Sequence, residues 1–106
     1  TVYITQEVRG RDITDAVAFG DLQILVPAKE QVSSSTQPTV RRISRGLRNF
    51  NDNDYLLLSG DPLCIGIACA EAARMNNGRF KALKWDRLEE RYYPLEVDLY
   101  HRKESS

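Results

Sequence analysis

The chain's single histidine, His101, stands close to its end. Chemistry built on an imidazole therefore has little to work with, because a Ser-His-Asp or Cys-His arrangement needs the ring beside its nucleophile. The two cysteines, Cys64 and Cys69, are five residues apart and do not form a CxxC pair. Five helical residues turn the chain by about 500°, which leaves the two thiols roughly 140° apart on a helix. They are expected as buried, reduced thiols, as in a cytoplasmic protein. No His/Cys metal spacing is present. Asp61, Asp86, Glu96 and Asp98 could hold a divalent cation for a carboxylate-dependent hydrolysis. Glu96 and Asp98, however, alternate on what reads as the outer face of a strand, where solvated carboxylates stand. No catalytic residue, metal ligand or cofactor is assigned on this pattern.

Binding chemistry has three candidates. The first is Ser59-Gly60-Asp61, the turn between a strand and a helix. A helix N-terminus presents free N–H groups, Gly60 lets a ligand approach the backbone, and Ser59 adds a hydroxyl, so the turn could cradle a phosphate or a nucleotide. GxGxxG and Walker A patterns are absent, and Asp61 puts a negative charge where the anion would sit. The plainer reading is a capped turn. The second candidate is Arg41, Arg42, Arg45 and Arg48, in a stretch from Thr36 to Phe50 with no acidic residue. Arg41, Arg45 and Arg48 share a helical face, and guanidinium forks suit carboxylates and phosphates. The plainer reading pairs them with Asp52 or Asp54. The third is Trp85 with Tyr92 and Tyr93, aromatics beside Lys84, Arg87 and Arg91. On a surface these would anchor a partner. Inside a sheet they would be a cross-strand pair with Arg87 or Arg91 over a ring.

These residues need elements to hold them. Val2–Gln6 reads as a strand, and Asp12–Gly20 as a short helix capped by Asp12, with Ile13, Val17 and Phe19 turned inward. Leu22–Val26 is a strand stopped by Pro27, and Lys29–Thr36 a polar loop. A helix begins near Pro38 and carries the apolar stripe Val40, Ile43, Leu47, Phe50. Tyr55–Leu58 is an unbroken apolar run, as in a strand covered on both faces. Asp61 as N-cap and Pro62 in the first turn open a helix that runs to Asn77 and stops at Gly78. Its small residues, Gly66 and the alanines, predict close approach to a sheet. Phe80–Arg87 and Tyr92–Leu99 read as a hairpin joined by Leu88–Arg91. Alternation of Tyr93, Leu95, Val97 and Leu99 predicts one buried face. The order β-α-β-α-β-α-β-β predicts a single α/β domain over 1–100: a mostly parallel sheet covered by helices, with a C-terminal antiparallel hairpin. Residues 101–106 read as a polar tail.

Bulk properties narrow the function further. The chain has 106 residues, with 15 basic and 15 acidic side chains. A neutral chain does not coat nucleic acid through bulk charge. No signal-peptide pattern or apolar run long enough to span a bilayer is present, so no membrane partner is expected.

The layout resembles small bacteriophage-encoded α/β proteins of unknown function. The residues that carry the resemblance are Gly10-Arg11-Asp12-Ile13 with Phe19-Gly20, then Asp54–Pro62, Ile65-Gly66-Ile67-Ala68, and Leu83–Arg87 with Tyr92-Tyr93-Pro94. The resemblance implies a protein made inside an infected bacterium that acts by binding, and it transfers no catalytic residue. The leading expectation is a non-enzymatic binding protein of the cytoplasm, acting on a protein partner or through self-association. A small-ligand or nucleotide binder at Ser59–Pro62 is the second reading, and a carboxylate-dependent metal hydrolase the third. The arginine stripe could also contact a nucleic-acid backbone, although no recognition motif supports that partner.

Overall fold

A computed structural model describes residues 1–30 and 35–100. The expected tail and the serine-rich middle of the polar loop lie outside those residues. The five strands are β1 (Val2–Ile4), β2 (Leu22–Ile24), β3 (Tyr55–Leu57), β4 (Arg79–Asp86) and β5 (Arg91–Asp98). The two α-helices are α1 (Gln37–Gly46) and α2 (Pro62–Met75), and Thr14–Phe19 form a 3₁₀ helix. The sheet order is β2-β1-β3-β4-β5, parallel except for the antiparallel β4–β5 pair. The fold is thus α/β with a mostly parallel sheet and a C-terminal hairpin.

The placement of the helices follows from the strand order. Right-handed crossovers that step in opposite directions along a sheet fall on opposite faces. The β1-to-β2 step runs one way, while β2-to-β3 and β3-to-β4 run the other. Accordingly, Tyr3, Leu56, Ile43, Leu47, Cys64, Ala68 and Ala72 form one core layer under α1 and α2. Val2, Ile4, Leu57 and Leu83 form the other, under the 3₁₀ helix and Tyr92. Leu56 and Leu57 point into opposite layers, which is why the strand that carries them is apolar throughout.

Three details differ from expectation. The segment after Asp12 winds as 3₁₀, with the Asp12 carboxylate accepting from the Thr14 N–H, and Ala16 presses on the sheet while Val17 is exposed. Gly66 does not mediate close packing: a methyl group there would meet nothing within 4 Å. The close approach occurs instead at Gly46 of α1, where a methyl would strike the Leu25 side chain. Finally, the alternating face of β5 is not a buried one. Tyr93 and Val97 are half-buried, and Leu95 and Leu99 are 46% and 60% exposed, while buried Tyr92 belongs to the opposite face. Both α-helices are used in covering β1, β3 and β4, and α2 packs on β4, so that side of β5 stays open.

Candidate functional site

The arginines of α1 are placed by its amphipathic pattern. Ile43 and Leu47 turn into the core and Val40 is half-buried, so Arg41, Arg42, Arg45 and Arg48 face outward and are exposed. Arg41, Arg45 and Arg48 border a shallow groove between α1 and α2, whose opposite wall carries Glu71 and Arg74. Arg74 donates to Glu71 at 2.7 Å and reaches the Ser44 hydroxyl at 3.4 Å. That hydrogen bond from Arg74 holds the Glu71 carboxyl below its usual range, with a smaller contribution from Ser44. Glu71 is therefore engaged mainly within α2, with Ser44 of α1 the lesser partner across the groove. Arg42 lies 3.9 Å from Glu30.

The expected pairing with Asp52 or Asp54 does not occur. Asp52 accepts from Asn76 at 2.8 Å and pairs with Arg79 at 3.2 Å. Asp54 is buried and accepts from the Asn51 N–H and the Thr1 nitrogen. Among the described residues, Arg41, Arg45 and Arg48 have no carboxylate within 4.0 Å. Among the described residues, these three guanidinium groups thus stand on one surface with no ion-pair partner.

The Ser59–Pro62 turn lies at the carboxyl ends of the parallel strands, as predicted, but its polar groups are engaged within the chain. The Ser59 N–H donates to the Thr5 hydroxyl, and the Ser59 hydroxyl donates to the Gln6 carbonyl. The Asp61 N–H donates to Gln6 Oε1 at 2.7 Å, and Asp61 itself caps α2 through the Leu63 N–H at 2.8 Å. Gly60 has φ +91° and packs against the Gln6 side chain so closely that no Cβ would fit.

Trp85 and Tyr92 are directly paired across β4 and β5, with ring centroids 5.0 Å apart at 70°. The cross-strand reading therefore holds, yet Trp85 keeps 41% of its surface exposed. Among the described residues, the cation over a ring is Lys81 on Tyr55, at 4.3 Å, in place of the expected Arg87 or Arg91. Asp86 accepts from the Leu88 and Glu89 N–H groups and shapes the hairpin turn. Glu96 and Asp98 stand across from Lys81 and Arg79. Among the described residues no three His, Cys, Asp or Glu side chains gather closely enough to hold a metal ion. Cys64 is buried and Cys69 half-buried, both are free thiols, and burial pushes both thiol pKa values up.

Sequence reasoning missed two residues near the Ser59 turn. Arg9 and Arg11, in the loop after β1, line a cavity that also includes Ser59. The available signal was a glycine between two arginines just beyond a strand end. Its meaning depends on strand order, which a local pattern does not contain. Among the described residues no helix is long and apolar enough to cross a membrane.

A protein-family model described as phage Pam3 gp32-like protein matches residues 1–99. The chain belongs to this phage protein family, in agreement with the resemblance drawn from its residues. No curated protein and no solved structure gives a significant match.

Proposed function

We propose that this phage protein is a non-enzymatic binding protein of the infected cell, and that the Arg41–Arg45–Arg48 face docks on a carboxylate-rich surface of a protein partner. The observation that supports the reading is the alignment of three guanidinium groups that have no ion-pair partner among the described residues, on a chain of zero net charge. Unpaired arginine forks keep their capacity for bidentate bonds to carboxylates. The groove beside them also offers Val40 and Met75, giving the patch the mixed character of a protein interface, where arginine is enriched. An extended positive face also steers an acidic partner in solution, an effect that salt weakens.

The test begins with partners co-purified from infected cells after nuclease treatment, identified by mass and then produced separately. Binding of the natural chain to that partner is compared with binding of the triple variant Arg41→Glu, Arg45→Glu, Arg48→Glu. The expected result is at least about a hundredfold loss of affinity for the variant, since reversing charges places like against like. Its circular dichroism and melting curve should match the natural chain. Affinity of the natural pair should fall as salt rises. Unchanged affinity in a folded variant would remove this face from the mechanism. Loss of the partner on nuclease treatment would assign the face to nucleic acid and overturn the proposal.

A further inference from the structure

In an open α/β sheet, ligands settle outside the carboxyl ends of the strands where the strand order reverses, because the loops there diverge to opposite faces. The reversal in this sheet lies between β1 and β3, whose following segments lead to the 3₁₀ helix on one face and to α2 on the other. Gln6 fills the space between the loops that follow β2 and β3. On the face away from α1 and α2, however, a cavity of about 340 Å³ remains open at this point. Ile4, Ile13 and Ile24 supply its apolar wall, and Arg9 and Arg11 stand on it with Ser59. Glu7 also borders it, so its lining residues carry two cations to one carboxylate. Neither arginine has a carboxylate within 4.0 Å among the described residues.

Arg11 does not belong to this cavity alone. It also borders a second depression, whose other walls are Asp12, Trp85 and Tyr92. Arg11 thus borders both the cavity with Arg9 and the depression beside the half-exposed indole. The edge-on packing of Tyr92 fixes that indole, leaving part of its surface open. Trp85 is two residues beyond Leu83 on β4, so it stands on the same sheet face as Ile4 and Leu57. A ligand matching this order needs a doubly charged oxyanion at one end and a flat ring at the other. We propose that the cleft binds a nucleoside monophosphate, with the phosphate on Arg9 and Arg11 and the base against Trp85. Asp12 sits on the base side. Its carboxylate accepts from the Thr14 N–H at 2.9 Å, and carboxylate oxygens keep further lone pairs that suit an amino group of the base. The same carboxylate keeps the phosphate on the Arg9 side. This site is separate from the α1 face, and neither proposal rests on the other.

Trp85 is the only tryptophan in the chain, so its fluorescence reports this cleft directly. The full chain is titrated in turn with AMP, GMP, CMP and UMP. At least one should quench Trp85 saturably, and inorganic phosphate should restore the emission by competition while quenching nothing itself. Arg11→Ala, at an exposed position, should weaken the quenching ligand at least about tenfold with an unchanged circular dichroism spectrum. The triple glutamate variant of α1 should titrate like the natural chain. Absence of saturable quenching with all four nucleotides would overturn the proposal. Quenching that survives Arg11→Ala unchanged would overturn it equally.

Discussion

Gln6 shows how much of the site depends on one side chain. Its Nε2 donates to the Pro27 and Glu30 carbonyls at 3.2 and 2.8 Å, and its Oε1 accepts from the Asp61 N–H. One amide therefore ties the loop after β1 to those after β2 and β3. Only glutamine offers donors and an acceptor together at the end of a stem of this length. Glutamate would bring no donor to the two carbonyls, and leucine would satisfy nothing. Gln6→Leu is expected to cost about 1–3 kcal/mol in urea denaturation, because the abandoned backbone groups are only partly reachable by water. A change within the measuring error would mean that water replaces the amide fully. Gly60→Ala should also destabilise, since its φ of +91° and the contact with Gln6 both exclude a Cβ. Nothing in the local sequence marks Gln6, because each of its partners lies more than twenty residues away.

The elements themselves were largely legible, for reasons that can be traced to their residues. Asp61-Pro62 announced α2 because a cap side chain and a fixed proline φ act locally, and the Leu63 N–H bond is the result. The Ile43–Leu47 spacing announced α1 in the same way. Packing partners were not legible. Gly66 read as a contact glycine, but the contact glycine is Gly46, and only the tertiary path of Leu25 makes it so. The two positions give opposite expectations for the same substitution. Gly66→Ala fills open space in a helix interior and should stabilise by about 0.5–1 kcal/mol. That corresponds to a melting temperature higher by roughly 2–8 °C for a domain of this size. Gly46→Ala drives a methyl into buried Leu25 and should cost about 1–3 kcal/mol. Calorimetry on both variants checks the assignment, and two shifts of the same sign would refute it.

At the scale of the whole molecule, strand order decides what the surfaces can do. It could not be read from the alternation of elements, and it is what gathers Arg9, Arg11 and Ser59 around one cavity and Trp85 beside it. The arginine face of α1 needed no such information, because one helix carries it. Strand order also sets the two free edges, and with them the prospects for self-association. The β2 edge is only three residues long, too short to template a partner strand well. The β5 edge is eight residues long, and Pro94 sits near its middle, opposite Leu83. A proline inside an intact antiparallel ladder has its nitrogen on the free side, so the outward row of donors is interrupted there. Exposed Leu95 next to it makes such an interruption useful, because a long apolar edge would otherwise invite a second chain. Pro94→Thr restores the missing N–H and favours extended backbone. The variant is expected to sediment with a larger share of dimer or higher species than the natural chain at the same concentration. Overlapping sedimentation profiles would show that Pro94 is not what keeps this edge unpaired.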